Sequence, residues 1–235
     1  MSSSRLPGKV LADIGGVPML SLLLYRLRAA RLVDDVVLAT STSIADDGLA
    51  VWAKAENVAV FRGSEEDVLA RVVGAHRMMG SETVVEVCGD TPLIDPALVD
   101  LAIGEYRKGE ADVVTSTVQP SYPQGCDAQV FSFAALAEVE RTIFDPGVRE
   151  HVSLHFYEAT DRYRIRHLLA PEKLRMPDQR LQVDYPEDLD LVREIHRRLA
   201  PQDGFLYSLE RVVATLRADP QLAALNRDCK ERALR

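Results

Sequence analysis

The chain opens on Met1-Ser2-Ser3-Ser4-Arg5-Leu6-Pro7-Gly8-Lys9, a polar stretch with little to bury. Pro7 fixes φ, Gly8 permits φ > 0, and the turn they form stands between two cations, Arg5 and Lys9. A tight loop of this make-up can aim backbone N–H groups and two positive side chains at one anion. An ordinary surface turn has the same composition. Two acidic stretches carry the opposite charge. Val87-Cys88-Gly89-Asp90-Thr91-Pro92-Leu93-Ile94-Asp95 reads as an apolar strand that ends at Gly89, presents the Asp90 carboxylate and turns at Pro92. In open α/β sheets, ligands bind beyond the carboxyl ends of the strands, so Asp90 stands where a metal–phosphate complex would sit. Its plainer reading is a helix or turn cap, although Asp95, beside Pro96, suits that role better. Val183-Asp184-Tyr185-Pro186-Glu187-Asp188 repeats the design. Glu187 and Asp188 are accounted for by the dipole of the helix that Pro186 begins, whereas Asp184, at the strand end, is not.

Positioning these groups requires a sheet. Helical periodicity marks Met19 to Ala30, with Leu20, Leu23, Leu24 and Leu27 on one stripe, and Ala45 to Glu56, with Leu49, Trp52 and Ala53 inward. Further helices are expected at 68–79, 96–108, 149–159 and 186–199, with a short one after Phe131. Short apolar runs at 36–39, 58–61, 83–87, 112–117, 128–131 and 180–183 read as strands, and 164–169 as an extended piece. Alternation of the two implies βαβ crossovers: a Rossmann-like α/β domain, mainly parallel, with helices on both faces. The domain is expected over 1–199. After a break at Ala200 to Gly204, two helical pieces, Leu206 to Ala218 and Pro220 to Arg235, form a C-terminal appendage over 200–235.

Composition narrows the function. At 235 residues and 47% apolar, the chain can bury a sizeable core. It has no apolar run near 18 residues and no leader-like start, so neither a membrane span nor a secretory signal is indicated. A net charge of −8 argues against a nucleic-acid polymer as partner but not against a nucleotide. Cys88, Cys126 and Cys229 have neither disulfide nor zinc spacing, which makes a reduced cytoplasm the default location. His151 and His155 are four apart and could share a helix face, with no third metal ligand in view.

Ser3-Ser4-Arg5-Leu6-Pro7-Gly8-Lys9, Gly89-Asp90-Thr91-Pro92-Leu93 and Val183-Asp184-Tyr185-Pro186-Glu187-Asp188 together resemble the signatures of the cytidylyltransferases that make CMP-sugars. The resemblance runs from Ser2 to about Leu199 and weakly onward. It implies a nucleotidyltransferase fold and CMP transfer from CTP to a sugar or sugar acid, with pyrophosphate released. In that reading Ser3, Ser4, Gly8 and Gly89 contact the nucleotide, Arg5 and Lys9 neutralise its β and γ phosphates, and Asp90 holds Mg²⁺ with Asp184. The two carboxylates should then lie within about 8 Å of each other. Arg62-Gly63-Ser64-Glu65-Glu66-Asp67 resembles the family loop near base and ribose, which places Gly63 and Ser64 there; a helix cap at Ser64 or Glu66 reads equally well. Tyr122-Pro123-Gln124-Gly125-Cys126-Asp127 resembles the substrate loop. Asp127, Gln129, Arg149 and His151 are the implied acceptor-sugar residues, with Gln129 standing where the family is expected to have Glu. For Arg149 and His151 a surface charge cluster is the alternative. Other open readings are a catalytically impaired nucleotide- or sugar-binding protein and a transferase using another NTP. A homodimer is compatible with the sequence. The family has an apolar, central strand ahead of the Arg5–Lys9 loop, and none precedes it here. The expectation is therefore a mis-assigned start, a gap between strands or a substitute filling it, poor folding and weak nucleotide binding.

Overall fold

The computed structural model describes residues 5–230; Ser3 and Ser4, two of the expected nucleotide contacts, lie outside that span. After the first turn, a single 3₁₀ turn leads to a small hairpin of β1 (Asp13–Ile14) and β2 (Val17–Pro18). Glycine is required at Gly15: φ is +64°, and a Cβ there would lie 2.5 Å from the His196 ring. Helix α1 (Met19–Ala29) buries Leu20, Leu22, Leu23 and Leu24, at about 1.5–3 kcal/mol of gross burial each. Then β3 (Val37–Ser41), α2 (Asp47–Ala55), β4 (Ala59–Gly63), α3 (Val68–Met79), β5 (Thr83–Glu86) and α4 (Pro96–Tyr106) alternate as expected. Strands β3 and β4 pair in parallel, Val37 opposite Ala59. Trp52 packs inward and donates its indole N–H to Ser21 at 2.9 Å.

The second half departs from simple alternation. Strands β6 (Val113–Thr115) and β7 (Gln129–Ser132) are joined by a segment without a crossover helix, so β7 runs antiparallel to both β5 and β6. Strand β8 (Ile165–His167) adds in parallel to β6, giving the order β5-β7-β6-β8. Helix α5 (Phe133–Thr142) follows β7. The single helix expected over 149–159 is two: α6 (Pro146–Glu150) and α7 (Leu154–Glu158). Asp145 caps the first by accepting from Val148 N, and Pro146 opens it. His151 then leaves helical geometry at φ −112°, ψ 93°, so His151 and His155 share no helix face.

Residues 180–183 are not a strand either. Arg180 makes one parallel bridge to Gln124, and the segment then acts as a strap, with Leu181 N donating to Gln124 O and Val183 N to Asp90 O. Helix α8 (Pro186–Asp203) runs past Leu199, and the break falls at Gly204. Pro201 is tolerated in its last turn, at the loss of one backbone donor. Helices α9 (Leu209–Ala218) and α10 (Pro220–Ala223) come next. The last is shorter than expected because the chain curls inward after it, where Asn226 Nδ2 donates to Arg180 O and to Asp188 Oδ1.

One apolar core joins α1, α4, α8 and the C-terminal helices: Leu22, Val99, Ile195, Val212 and Leu216 belong to it. Buried Arg26 ties the two ends of the chain, donating to the carbonyls of Ile94, Phe205 and Tyr207. A second core lies between α3, α5 and β7, around Leu69, Phe131, Leu136 and Phe156.

Among the described residues, the β3–β4 pair and the four-stranded sheet do not hydrogen-bond to each other. Between β3 and β5 lie two cavities, of about 410 and 600 Å³.

Candidate active site

Gly8 adopts φ +73°, a left-handed conformation that glycine supplies without strain, and Lys9 N closes the turn on Leu6 O at 3.2 Å. The turn sends Lys9 Nζ between two carboxylates, 2.7 Å from Asp90 Oδ2 and 2.8 Å from Asp184 Oδ1. Arg5 donates to the same Asp184 oxygen at 2.7 Å, and its guanidinium lies 5.2 Å from the centre of the Tyr185 ring. Because one ammonium touches both, the Asp90 and Asp184 oxygens cannot be further apart than those two bonds laid end to end.

The strap explains why they converge. Asp90 follows β5 after a turn in which Thr91 N and Oγ1 both donate to Cys88 O. Its carbonyl accepts Val183 N at 2.9 Å, which lands the next residue, Asp184, beside it. Asp188 fixes Asp184 from below: its Oδ2 accepts from the amides of Asp184 (2.9 Å) and Tyr185 (3.0 Å). Arg180 reaches Asp184 at 3.0 Å and Asp188 at 3.3 Å. The buried Asp188 is therefore more than a dipole partner, and Arg180 is more than a strand residue. Neither role has a local signal in the sequence beyond the spacing of Arg180, Asp184 and Asp188 at four-residue steps.

The cluster holds three carboxylates and three cations, and its electrostatics follow. Burial works to raise the Asp184 pKa, but the hydrogen bond and charge of Lys9, then Arg5 and Arg180, hold it below the usual carboxylate range. Arg180 is likewise kept charged, since its bonds to Asp188 and Asp184 outweigh its burial. Among the described residues, two buried atoms of this cluster have no hydrogen-bond partner, Asp90 Oδ1 and Arg180 Nη1. An acceptor oxygen beside a second carboxylate fits a hard divalent cation. Among the described residues no group of three or more His, Cys, Asp or Glu side chains could hold a metal alone. The two convergent carboxylates, Asp90 and Asp184, would leave the rest of a divalent ion's shell to water and phosphate.

The softer candidates fall into separate groups. Gly89 lies in the turn before Asp90 with ordinary clearance around it, beside Val10 and Leu20. Gly63 ends β4, its carbonyl accepting Thr42 N. Ser64 Oγ accepts Asp67 N, and Asp67, not Ser64 or Glu66, caps α3 by accepting Ala70 N. Arg149 donates through two nitrogens to Asp67 and through a third to the Glu140 carbonyl, so its charge is spent inside the protein. His151 ends α6 and its amide donates to Gly147 O. Asp127 Oδ2 accepts Gly125 N at 3.1 Å, at a glycine with φ +85° where a Cβ would strike the Gln182 backbone at 2.5 Å. Gln129 Oε1 accepts from Ser153 Oγ at 2.7 Å and from Tyr157 Oη, directly across from Glu86 in the β5–β7 register. Burial raises the Glu86 carboxyl to about 7, partly offset by a bond from Ser153, and among the described residues its Oε2 has no hydrogen-bond partner.

Comparison with known proteins identifies the family. The cytidylyltransferase family model matches residues 1–213. The chain is 30% identical over 228 residues to the Bacillus subtilis spore coat polysaccharide biosynthesis protein SpsF, covering 95% of this chain and 93% of that one. It is 39% identical over 112 residues to a 3-deoxy-manno-octulosonate cytidylyltransferase of Geobacter sulfurreducens, covering 47% and 43%. The solved structure of a cytidylyltransferase from Leptospira borgpetersenii superposes with a TM-score of 0.89 at 25% identity, over 99% of this chain and 95% of that one. The matched span takes in the cationic turn, both convergent aspartates and the helices behind them, and the chain accordingly belongs to the cytidylyltransferase family of nucleotidyltransferases.

Proposed function

We infer that the chain transfers CMP from CTP to a hydroxyl of a sugar acid, with release of pyrophosphate, in the making of a cell-surface polysaccharide. The observation that carries this is the convergence of Lys9 and Arg5 on Asp90 and Asp184. The reaction needs opposite charges in one place, cations for a polyphosphate and carboxylates for the metal that accompanies it. The relatives named for spore coat polysaccharide and for 3-deoxy-manno-octulosonate support the acceptor class.

In this reading the acceptor hydroxyl oxygen bonds to the α-phosphorus and gives up its proton to solvent, the bond from phosphorus to the bridging oxygen breaks, and both electrons leave with pyrophosphate. Negative charge grows on the leaving group. Lys9 and Arg5, already held at the site, turn toward the β and γ phosphates and stabilise that charge. Asp90 and Asp184 would hold Mg²⁺, which when bound supplies Lewis-acid polarisation of the phosphoryl oxygens. Arg180 helps to keep Asp184 ionised, and Asp188 orients it by accepting from the Asp184 and Tyr185 amides. The acceptor sugar is assigned to the side of Gln129 and Asp127, with Gly63 and Ser64 toward base and ribose. No side chain is needed as a strong general base where positioning and electrostatics dominate.

Nucleotide choice is tested by calorimetric titration of CTP, UTP, GTP and ATP, each with Mg²⁺. Tighter binding of CTP than of the other three by at least about tenfold is expected. Equal binding of all four would remove the cytidine assignment while leaving a nucleotidyl transferase.

A further inference from the structure

Behind the site, the strap is gripped by a polar side chain from the far end of the sequence. Asn226 follows α10, whose Leu222 sits in the main core, and is itself buried, at 3% exposed. Its Nδ2 donates to Arg180 O at 3.1 Å and to Asp188 Oδ1 at 2.7 Å, and its Oδ1 accepts from Gln179 Nε2 at 3.1 Å. The two groups facing the nitrogen are acceptors and the group facing the oxygen is a donor, which an amide satisfies and a carboxylate does not. Two of these bonds lead on to Asp184. Asp188 is held on both sides, Oδ1 by Asn226 and Oδ2 by the amides of Asp184 and Tyr185. With Oδ1 pinned, the carboxylate cannot turn away from those amides. Arg180, whose carbonyl Asn226 holds, reaches Asp184 Oδ2 with its guanidinium at 3.0 Å.

We propose that Asn226 is a positioning residue for the transfer, holding the Asp184 carboxylate in place at the metal site through Asp188 and Arg180. This rests on the reading that Asp184 helps to hold the divalent ion. The family model ends at residue 213, so Asn226 lies outside the matched span. The segment after α10 is then a support of the active site, and not only a cover for the core. Asn226→Asp keeps the shape, sets an oxygen against the Arg180 carbonyl and adds a carboxylate beside Asp188. Asn226→Leu keeps the bulk and removes all three bonds. Hydrogen-bond partners that stand behind a metal ligand are worth about 10–100-fold in metal affinity.

The experiment measures amide hydrogen exchange without metal, and calorimetric titration of CTP with Mg²⁺ and in EDTA, on the parent and on both variants. One folded variant is enough. The amides of Asp184 and Tyr185 should exchange at least about tenfold faster than in the parent, while the buried helical amides of Val99 and Ile195 keep their rates. Binding of CTP with Mg²⁺ should weaken by at least about tenfold, and binding in EDTA should change by less than about threefold. Asp184 and Tyr185 amides that exchange as in the parent overturn the proposal, as does Mg²⁺–CTP binding that is not weakened. Acceleration spread evenly over the core, or failure of both variants to fold, also overturns it, because Asn226 is then a residue of general stability. A parent that binds CTP no better with Mg²⁺ than in EDTA faults the metal role of Asp184 instead. The exchange comparison, made without metal, still decides whether Asn226 holds Asp184.

Discussion

Replacing Lys9 with methionine should make the site bind a divalent ion better and work worse. The Lys9 ammonium lies 2.7 Å from Asp90 and 2.8 Å from Asp184, bridging the two carboxylates assigned to the metal. With Arg5 and Arg180 it also balances the three carboxylates of the cluster, so a bare dication enters a neutral site and must displace a hydrogen-bonded cation. A metal–triphosphate complex carries net negative charge, draws Lys9 and Arg5 onto the phosphates, and frees the carboxylates as it arrives. A charge-assisted hydrogen bond is worth about 1.5–3 kcal/mol net, and methionine removes the donor while keeping much of the side-chain bulk. Relieving that competition should raise the affinity for free Mn²⁺ by about 10–100-fold, as read by the loss of the free-ion EPR signal without nucleotide. Turnover should fall by about 10²–10³, the scale for losing one preorganised donor. Asp90→Asn in the Lys9→Met background should abolish the gain. A Lys9→Met protein that binds Mn²⁺ no more tightly than the parent would refute the competition. A collapsed Tm with turnover per folded molecule intact would make Lys9 a structural residue.

Two other perturbations separate support from chemistry. Asp188→Ala leaves Arg180 without one of its two carboxylates and strips the acceptor from two amides; it should cost about 3–5 kcal/mol in urea unfolding, and a cost below about 1 kcal/mol would contradict the strap account. Glu86 sets a pH dependence: its folded pKa, about 7, lies above the ordinary 4.5, so the folded state holds the extra proton between those values. The stability this provides is full below about pH 4.5 and is lost as pH rises to about 7, by at most about 3 kcal/mol. Glu86→Gln should flatten that part of the stability curve, and an unchanged slope in the variant would place the titration elsewhere.

How much of this was legible in the sequence depended on whether the signal was local. Pro7-Gly8 between two cations, and an aspartate after each apolar run, state their chemistry within a few residues, and the structure brings Arg5, Lys9, Asp90 and Asp184 together. Asp95 capping α4 was legible for the same reason. What holds the cluster in place is long-range and was not. Leu181 and Val183 alternate like a strand, but their backbone bonds go to Gln124 and Asp90 rather than to a ladder. Asp188 looks like any acidic residue in a first helical turn until Arg180 and Asn226 are seen against it. The split of the 149–159 helix had a local sign, Asp145-Pro146, which reads as a start three residues earlier than the apolar pattern suggests. The antiparallel β7 followed from a connection with no helix in it, a clue present in the prolines of 118–127. Arg149 reads as a free cation in one dimension and is bound to Asp67 in three.

The central claim is cytidylyl transfer to a sugar acid, and the most direct measurement is pyrophosphate release with CTP and Mg²⁺ against a panel of sugar acids that includes 3-deoxy-manno-octulosonate, with ³¹P NMR of the product. The account predicts release only when an acceptor is present, a new phosphodiester resonance from the CMP-sugar, and loss of both in Asp90→Asn and Asp184→Asn proteins that remain folded. Folded protein that binds CTP yet releases no pyrophosphate with any acceptor, or that turns over equally well in both variants, would contradict it.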